Sequence, residues 1–442
     1  MSLLERTFKL GENGTTVRTE LLAGVTTFLT MAYIVLVNPA ILSTTGMPLA
    51  GVAAATCLAA GIGCLLMGFL ANYPIALAPG MGLNAYFAFT VVGAMGIPWQ
   101  TALGLVFISG VLFFILTVAG VRQLIVSAIP RALFSAIAAG IGLFIAFIGL
   151  RSAGLVVTNP ATLVGLGDVH APATQLALLG LAILSVLTVL KVRGAIMIGI
   201  VVTSVLGWLL HLANWTPQPY SLEAMTGTAL QLDIPAALGI GGKGYGLALL
   251  EIVFVFLFVD LFDNVGTLVA VSKKAGLVRP DGTIPSLNRI LFADAGATVV
   301  GSLAGTSTVV SYIESASGVA AGGRTGLTAV VVGLLFLATL FVAPWAQVIP
   351  AAATAPALIL VGAMMMAPLA EIDWDDPVIA IPAFLTLITI PLTFSIANGL
   401  AFGVIAYALL KLASRRVTKV DWLLFALAAL FLARFVYMAF EA

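Results

Sequence analysis

The chain has 442 residues, of which 61% are hydrophobic and 8% charged, and a mean hydropathy of +1.18. So much apolar surface exceeds what a soluble core can hide, so the chain reads as a polytopic membrane protein, not a soluble enzyme or a nucleic-acid binder. A net charge of +1 gives no whole-molecule field from which to read a partner.

Residues 1–18 form a short polar segment with Arg6, Lys9 and Arg18. The first apolar run after it is a full-length span, so no cleavable signal peptide is expected. Spans are predicted at 20–42, 50–70, 98–120, 131–150, 173–190 and 194–211, with a shorter apolar piece at 81–93. A polar loop follows at 212–244, rich in proline and glycine. The second half repeats the plan, with spans at 246–271, 286–303, 325–343, 354–370, 377–394 and 396–413 and a short piece at 312–322. A last run, 420–440, is long enough to span, but it carries Arg434 and could equally lie in the interface. Cys57 and Cys64 fall on one predicted helix, roughly 10 Å apart along its axis, so they cannot bridge each other and read as packing residues. His170 and His211 sit near span ends, and no zinc or nucleotide motif appears, so neither a metal nor a cofactor is expected.

With the N-terminus placed inside, sixteen of the nineteen basic residues fall on the inner side: Arg6, Lys9, Arg18, Arg122, Arg131, Lys191, Arg193, Lys273, Lys274, Arg279, Arg289, Arg324, Lys411, Arg415, Arg416 and Lys419. That asymmetry is what the positive-inside rule requires, and it supports the span count. Only Arg151 and Lys243 fall outside, with Arg434 unassigned. Each half has seven elements with the broken one third in order, so the second half enters the membrane inverted, a plan of secondary transporters.

The polar residues inside these spans carry the functional reading. The run LLEIVFVFLFVDLFDNVGTLVAV (249–271) holds Asp260 and Asp263 near its middle. A charged side chain at that depth costs roughly 2.5–3.5 kcal/mol on insertion scales, so it is expected to face a cavity. Asp260, Asp263, Asn264 and Thr267 share one helical stripe. The competing reading is helix–helix hydrogen bonding without a ligand. Laid together, ALAPGMGLNAYFAF (76–89) and STVVSYIESASGVA (307–320) set Asn84 beside Glu314. Extended pieces at 74–78 and 306–310 precede them, and extended backbone survives at membrane depth only when paired inside protein. Two short strands pairing near the middle, each feeding a half-helix, are therefore expected, with helix starts offering N–H groups to a ligand. The first span adds Thr26, Thr27, Thr30 and Tyr33. Phe254, Phe258, Phe262, Tyr86 and Phe87 supply rings on which a flat ligand could stack.

Four stretches carry a family resemblance: GTTVRTELLAGVTTFLTMAYIVLVNP (14–39), APGMGLNAYFAF (78–89), FVDLFDNVGTL (258–268) and YIESASGVAAGGRTGLTAVVVGLLF (312–336). From about residue 5 to 413 the chain resembles the azaguanine-resistance type of purine permease, within the nucleobase–cation symporters. The resemblance implies an all-α fold of fourteen membrane segments in a seven-plus-seven inverted repeat. Two of the segments would be broken, and the C-terminal apolar helix at 414–442 lies beyond that fourteen-segment plan. It implies a cytoplasmic segment (1–18), a core domain (19–120 and 245–343), a gate domain (121–211 and 344–413) and an extracytoplasmic loop (212–244). It further implies import of adenine, guanine or hypoxanthine with protons across the plasma membrane, by a homodimer with its N-terminus in the cytoplasm. Carried over by position, the substrate residues are Asn84, Asp260, Asp263 and Glu314, with Thr27, Leu83 and Ile313 as further candidate contacts. Proton coupling would fall on Glu314, Asp260 or Asp263.

The chemistry of the residues agrees with a neutral, flat ring edged with donors and acceptors. The central segments lack an arginine, which argues against phosphorylated or carboxylate substrates. An anion carrier of the same fold remains the alternative within transport, although such a site would want a positive charge near 81–93 or 312–322, and none is there. An intramembrane aspartyl protease would need its aspartates on two facing helices, whereas Asp260 and Asp263 share one turn.

Overall fold

The apolar runs fold as helices, and their polar residues decide where the helices bend, break and meet. The computed structural model describes residues 3–119, 131–212, 221–240, 248–279, 284–418 and 421–441; Arg122, Lys243 and Lys419 lie outside them. In the first half α1 is Leu3–Phe8, α2 Val17–Met31, α3 Ile34–Leu42, α4 Leu49–Leu66, β1 Leu77–Pro79, α5 Met81–Ala85 and α6 Trp99–Val118. Then come α7 Arg131–Ser152, β2 Val156–Asn159, β3 Leu163–Leu166, α8 Pro172–Val189, α9 Ala195–Leu209, α10 Leu222–Thr226 and α11 Ile234–Ala237. The second half has α12 Ala248–Ala275, α13 Leu287–Ala304, β4 Val309–Ser311, α14 Ser315–Ala320, α15 Gly326–Thr339, α16 Ala351–Met364, α17 Pro377–Thr393, α18 Ile396–Ala413 and α19 Trp422–Glu441. Among the described residues nine helical stretches are long and apolar enough to cross a membrane, so this is a multi-pass membrane protein.

The predicted span 20–42 is two helices, α2 and α3. The Thr30 hydroxyl donates to the Thr27 carbonyl at 2.7 Å just before the break, a back-bond that bends membrane helices. Asn72, in a left-handed conformation (φ 54°), ends the π-helical turn Met67–Ala71 that extends α4. Its amide donates to the Phe8 carbonyl and accepts from Gly326 N–H.

Two short strands do cross inside the protein. β1 and β4 pair antiparallel, Leu77 with Ser311, Ala78 with Val310 and Pro79 with Val309. A two-stranded ribbon leaves its outer edges unpaired, which buried backbone cannot tolerate. Side chains complete the ladder. The Cys64 thiol bonds both the N–H and the carbonyl of Leu77, each at 3.2 Å. The Thr298 hydroxyl does the same for Val309, at 3.0 and 3.2 Å. Asn264 Oδ1 accepts Ser311 N–H at 2.7 Å, and Ser315 Oγ accepts Ala76 N–H at 3.0 Å.

Two features of the connections differ from the sequence reading. The stretch between the predicted spans 131–150 and 173–190 folds as the hairpin β2–β3, closed where Asn159 Oδ1 accepts the Ala161 and Thr162 N–H groups. The loop expected at 212–244 holds α10 and α11 and docks on the end of α13, with Leu230 N–H donating to the Leu303 carbonyl at 2.8 Å. Gly305 ends α13 at φ 98°, where a Cβ would lie 2.3 Å from that of Thr228, so glycine is required there.

The chain divides into two compact units, one comprising Met1–Val118 and Gly149–Ala357, the other Ala119–Ile148 and Leu358–Ala442. The first holds both strands of the crossing. In the second, α17 and α18 pack closely, with Gly399 against Ile390 and Gly403 against Thr386. Asp376 accepts Val378 N–H at the start of α17 and pairs with Arg416. Asp421 bonds Lys411 at 2.6 Å, and α19 reaches α18 again through Arg434, which donates to Asn398 at 3.0 Å.

Candidate functional site

The site is built where the two broken segments cross, against α2, α3 and α12. Glu314 is the residue just before α14 and is half-buried. Its Oε1 accepts from the Tyr33 hydroxyl at the α2–α3 break, at 2.9 Å. Thr30 and Ser317 hydroxyls meet at 3.0 Å, and the Ser317 hydroxyl donates back to the Glu314 carbonyl. Asp263, on α12, is also half-buried, and its carboxylate lies within electrostatic reach of Glu314. Tyr312, buried beside both carboxylates, donates its hydroxyl to the Pro79 carbonyl and so ties the second segment to the first. Among the described residues no lysine or arginine pairs with Asp263 or Glu314.

The stripe on α12 is divided. Asp260 is buried and accepts from Asn264 Nδ2 at 2.7 Å. The same nitrogen donates to Asp294 Oδ2 on α13 at 2.6 Å. Both Asn264 protons are therefore spent on buried carboxylates, while its Oδ1 holds β4. Asp260 is bonded to this inner network, and Asp263 is the aspartate near Glu314. Asp294 lies inside the predicted span 286–303 and satisfied the same test, a carboxylate at mid-span, that singled out its two neighbours.

Asn84 sits within α5, fully buried. Its Nδ2 donates to Asn38 Oδ1 at 2.6 Å, and Asn38 Nδ2 donates to Thr56 and Thr306 at 2.8 and 2.9 Å. Asn38 was not among the expected residues; the signal was an amide next to Pro39 within the first span. Asn84 and Glu314 are not strict counterparts, because Asn84 falls five residues after β1 and Glu314 three after β4. Thr27 is buried, with its hydroxyl pressed against Gly318 on α14. Leu83 is buried, whereas Ile313 is exposed. Among the candidate aromatics, Phe254 stacks on Phe258 with centroids 5.1 Å apart, and Tyr86 meets Phe256 edge-on at 5.3 Å.

Chemically, this arrangement offers two carboxylates as acceptors, a tyrosine hydroxyl and an amide, with no fixed positive charge among the described residues. It suits a polar but uncharged ring with N–H groups, and its carboxylates give places for a proton.

The fold and the site define a multi-pass membrane protein with two broken segments crossing inside its first unit. The chain belongs to the family described as the Permease family (Xan_ur_permease), whose model matches residues 18–402. It is 44% identical to the adenine permease AdeP of Escherichia coli K12 over 439 residues, covering 99% of this chain and 96% of that protein. It is 43% identical to the guanine/hypoxanthine permease PbuG of Bacillus subtilis over 447 residues, covering 98% and 99%. Among solved structures, the transmembrane domain of a cyanobacterium bicarbonate transporter, BicA, matches at a TM-score of 0.64 and 17% identity, covering 93% of this chain and 97% of that one. At that identity the likeness shows the fold alone.

Proposed function

We propose that this protein is a secondary transporter that imports purine nucleobases together with protons by alternating access. Full-length similarity to permeases named for adenine and for guanine and hypoxanthine supports the substrate class. The observation that carries the reading to residues is the half-buried pair Asp263 and Glu314, without a basic partner among the described residues, beside the Tyr33 hydroxyl. Carboxylates there accept the ring N–H groups of a purine, and Asn84 reads another edge. Asp260 joins the proposed site through Asn264. Thr27, Leu83 and Ile313 complete the proposed contacts. We further infer fourteen segments in a seven-plus-seven inverted repeat, a core moving against a gate, a homodimer, and a plasma-membrane location with the N-terminus in the cytoplasm.

Proton coupling is assigned to Glu314, with Asp260 and Asp263 as the other candidates, since neighbouring carboxylates in a low-dielectric site cannot all stay charged cheaply. Labelled purine uptake into vesicles, with and without a pH gradient, tests the whole reading. Gradient-driven accumulation is expected, and transport of bicarbonate or sulfate in its place would establish the anion-carrier alternative. Glu314→Gln is expected to exchange labelled purine without concentrating it. Accumulation by this variant that still collapses with an uncoupler would move the coupling to Asp260 or Asp263.

A further inference from the structure

The hydrogen bonds behind Asn84 run in one direction, and their direction is set by the backbone of α4. The Thr56 hydroxyl donates to the Val52 carbonyl at 2.7 Å, so toward Asn38 it can only accept. Asn38 must therefore turn its Nδ2 to Thr56, at 2.8 Å, and the second proton of that group goes to Thr306 at 2.9 Å. Its Oδ1 is thereby committed to accepting, and Asn84 must answer with an N–H, at 2.6 Å. What Asn84 has left to present is its carbonyl oxygen, which is buried and has no hydrogen-bond partner among the described residues. An asparagine amide is ordinarily ambiguous, since a half-turn exchanges donor for acceptor. Here three polar groups from α3, α4 and the approach to β4 remove the ambiguity. A buried acceptor without a partner is costly, so a ligand donor at this place gains what the protein forgoes.

We propose that Thr56 and Asn38 are positioning residues for specificity: they lock Asn84 as a hydrogen-bond acceptor and thereby select a purine bearing an amino group, not an oxo group, at its six-position. The inference rests on the proposed purine transport and on Asn84 facing that edge of the ring. An exocyclic amine donates to the Asn84 oxygen. An oxo group at the same place sets two lone pairs against each other. Thr56→Val keeps the shape but removes the hydroxyl, after which Thr306 can rotate to donate to Asn38, both amides can turn over, and Asn84 can offer an N–H.

The test uses the full chain in lipid nanodiscs, with adenine and hypoxanthine as probes, and reads the ratio of their Kd values. Wild type is expected to favour adenine. Thr56→Val is expected to lower that preference by about tenfold, the scale of one hydrogen bond gained or lost, and Thr56→Ser to restore it. Loss of affinity for both bases alike would mark a merely structural role and overturn the inference, as would an unchanged ratio. Asn38→Asp provides a second arm. Ionised, a carboxyl at 38 can only accept, and protonated it donates to Thr56 as the amide does, so in either form Asn84 stays locked and the wild-type preference should persist; its loss would also overturn the inference. A wild-type protein that prefers hypoxanthine sinks the assignment of the acceptor while leaving purine transport standing. Binding of neither base sinks the underlying reading instead.

Discussion

The two broken segments share a layout, a three-residue strand leading to a short helix, yet they are finished with opposite chemistry. The first ends in a neutral, wholly enclosed chain of amides and hydroxyls running from Asn84 through Asn38 to Thr56. The second ends in a half-buried carboxylate, Glu314, held by Tyr33 and within reach of Asp263. Uncharged groups can be enclosed completely when nearly all their hydrogen bonds are made, as here for all but the Asn84 oxygen, while a carboxylate keeps some access to polar surroundings or loses its charge. On the proposed function, the first segment would discriminate by hydrogen-bond direction, and the second would hold a ligand and a proton.

The largest expected effect breaks the charged side. Asp263→Asn keeps the shape but replaces an acceptor with a mixed amide, and purine uptake should be abolished while the protein still reaches the membrane. Labelled uptake normalised to inserted protein measures this, and a wild-type rate would remove Asp263 from the site.

Next comes the packing of the two half-helices. A Cβ on Gly318 would lie 2.0 Å from Thr27 Oγ1 and 2.7 Å from the Ala23 carbonyl oxygen, a backbone atom that cannot swing aside. Gly318→Ala should therefore cost about 1–3 kcal/mol, the usual range for overpacking. At Gly80 the nearest atom would be a Val310 methyl at 2.9 Å, which belongs to a side chain. Gly80→Ala should cost less, and thermal melts of the two variants in one detergent would compare them. Equal losses would mean that α14 is no more tightly held than α5.

A smaller effect is expected on the neutral side. Asn84→Ala should change the ranking of adenine, guanine and hypoxanthine in a competition panel without unfolding the protein. An unchanged ranking would separate Asn84 from substrate contact.

The smallest effect sets these carboxylates against one that has a basic partner. Burial alone would raise the Asp421 carboxyl, but Lys411 at 2.6 Å and the Thr418 N–H and hydroxyl outweigh it and hold the group below the usual aspartate range. Its folded pKa is depressed, so the stabilisation is complete above the unfolded value of about 3.9 and fades as pH falls through the folded one. Asp421→Asn should lower the thermal midpoint at neutral pH, and the two melting curves should converge in acid. A difference that persists in acid would mean that the pair does not carry the contact.

Much of this architecture was legible because a bilayer leaves few options. Apolar runs of about twenty residues must be helices, and extended stretches such as 306–310 must find an internal partner, which predicts the crossing of β1 and β4. The carboxylates at 260, 263 and 314 could be picked out for their cost alone. The hairpin at 156–166 has no such signature in the sequence, because a connection outside the apolar spans is under no such constraint.

Tertiary structure alone decided how those polar residues are used. A stripe at i, i+3, i+4 and i+7 spans about 100° of a helix, wide enough for its members to face different neighbours. Asn264 bonds both Asp260 and Asp294 on α13, while Asp263 comes near Glu314. The direction in which the Asn84 amide is held is likewise invisible in the chain. It depends on Thr56, twenty-eight residues earlier, giving its proton to Val52, and hydrogen-bond polarity passes only between groups that the fold has brought into contact.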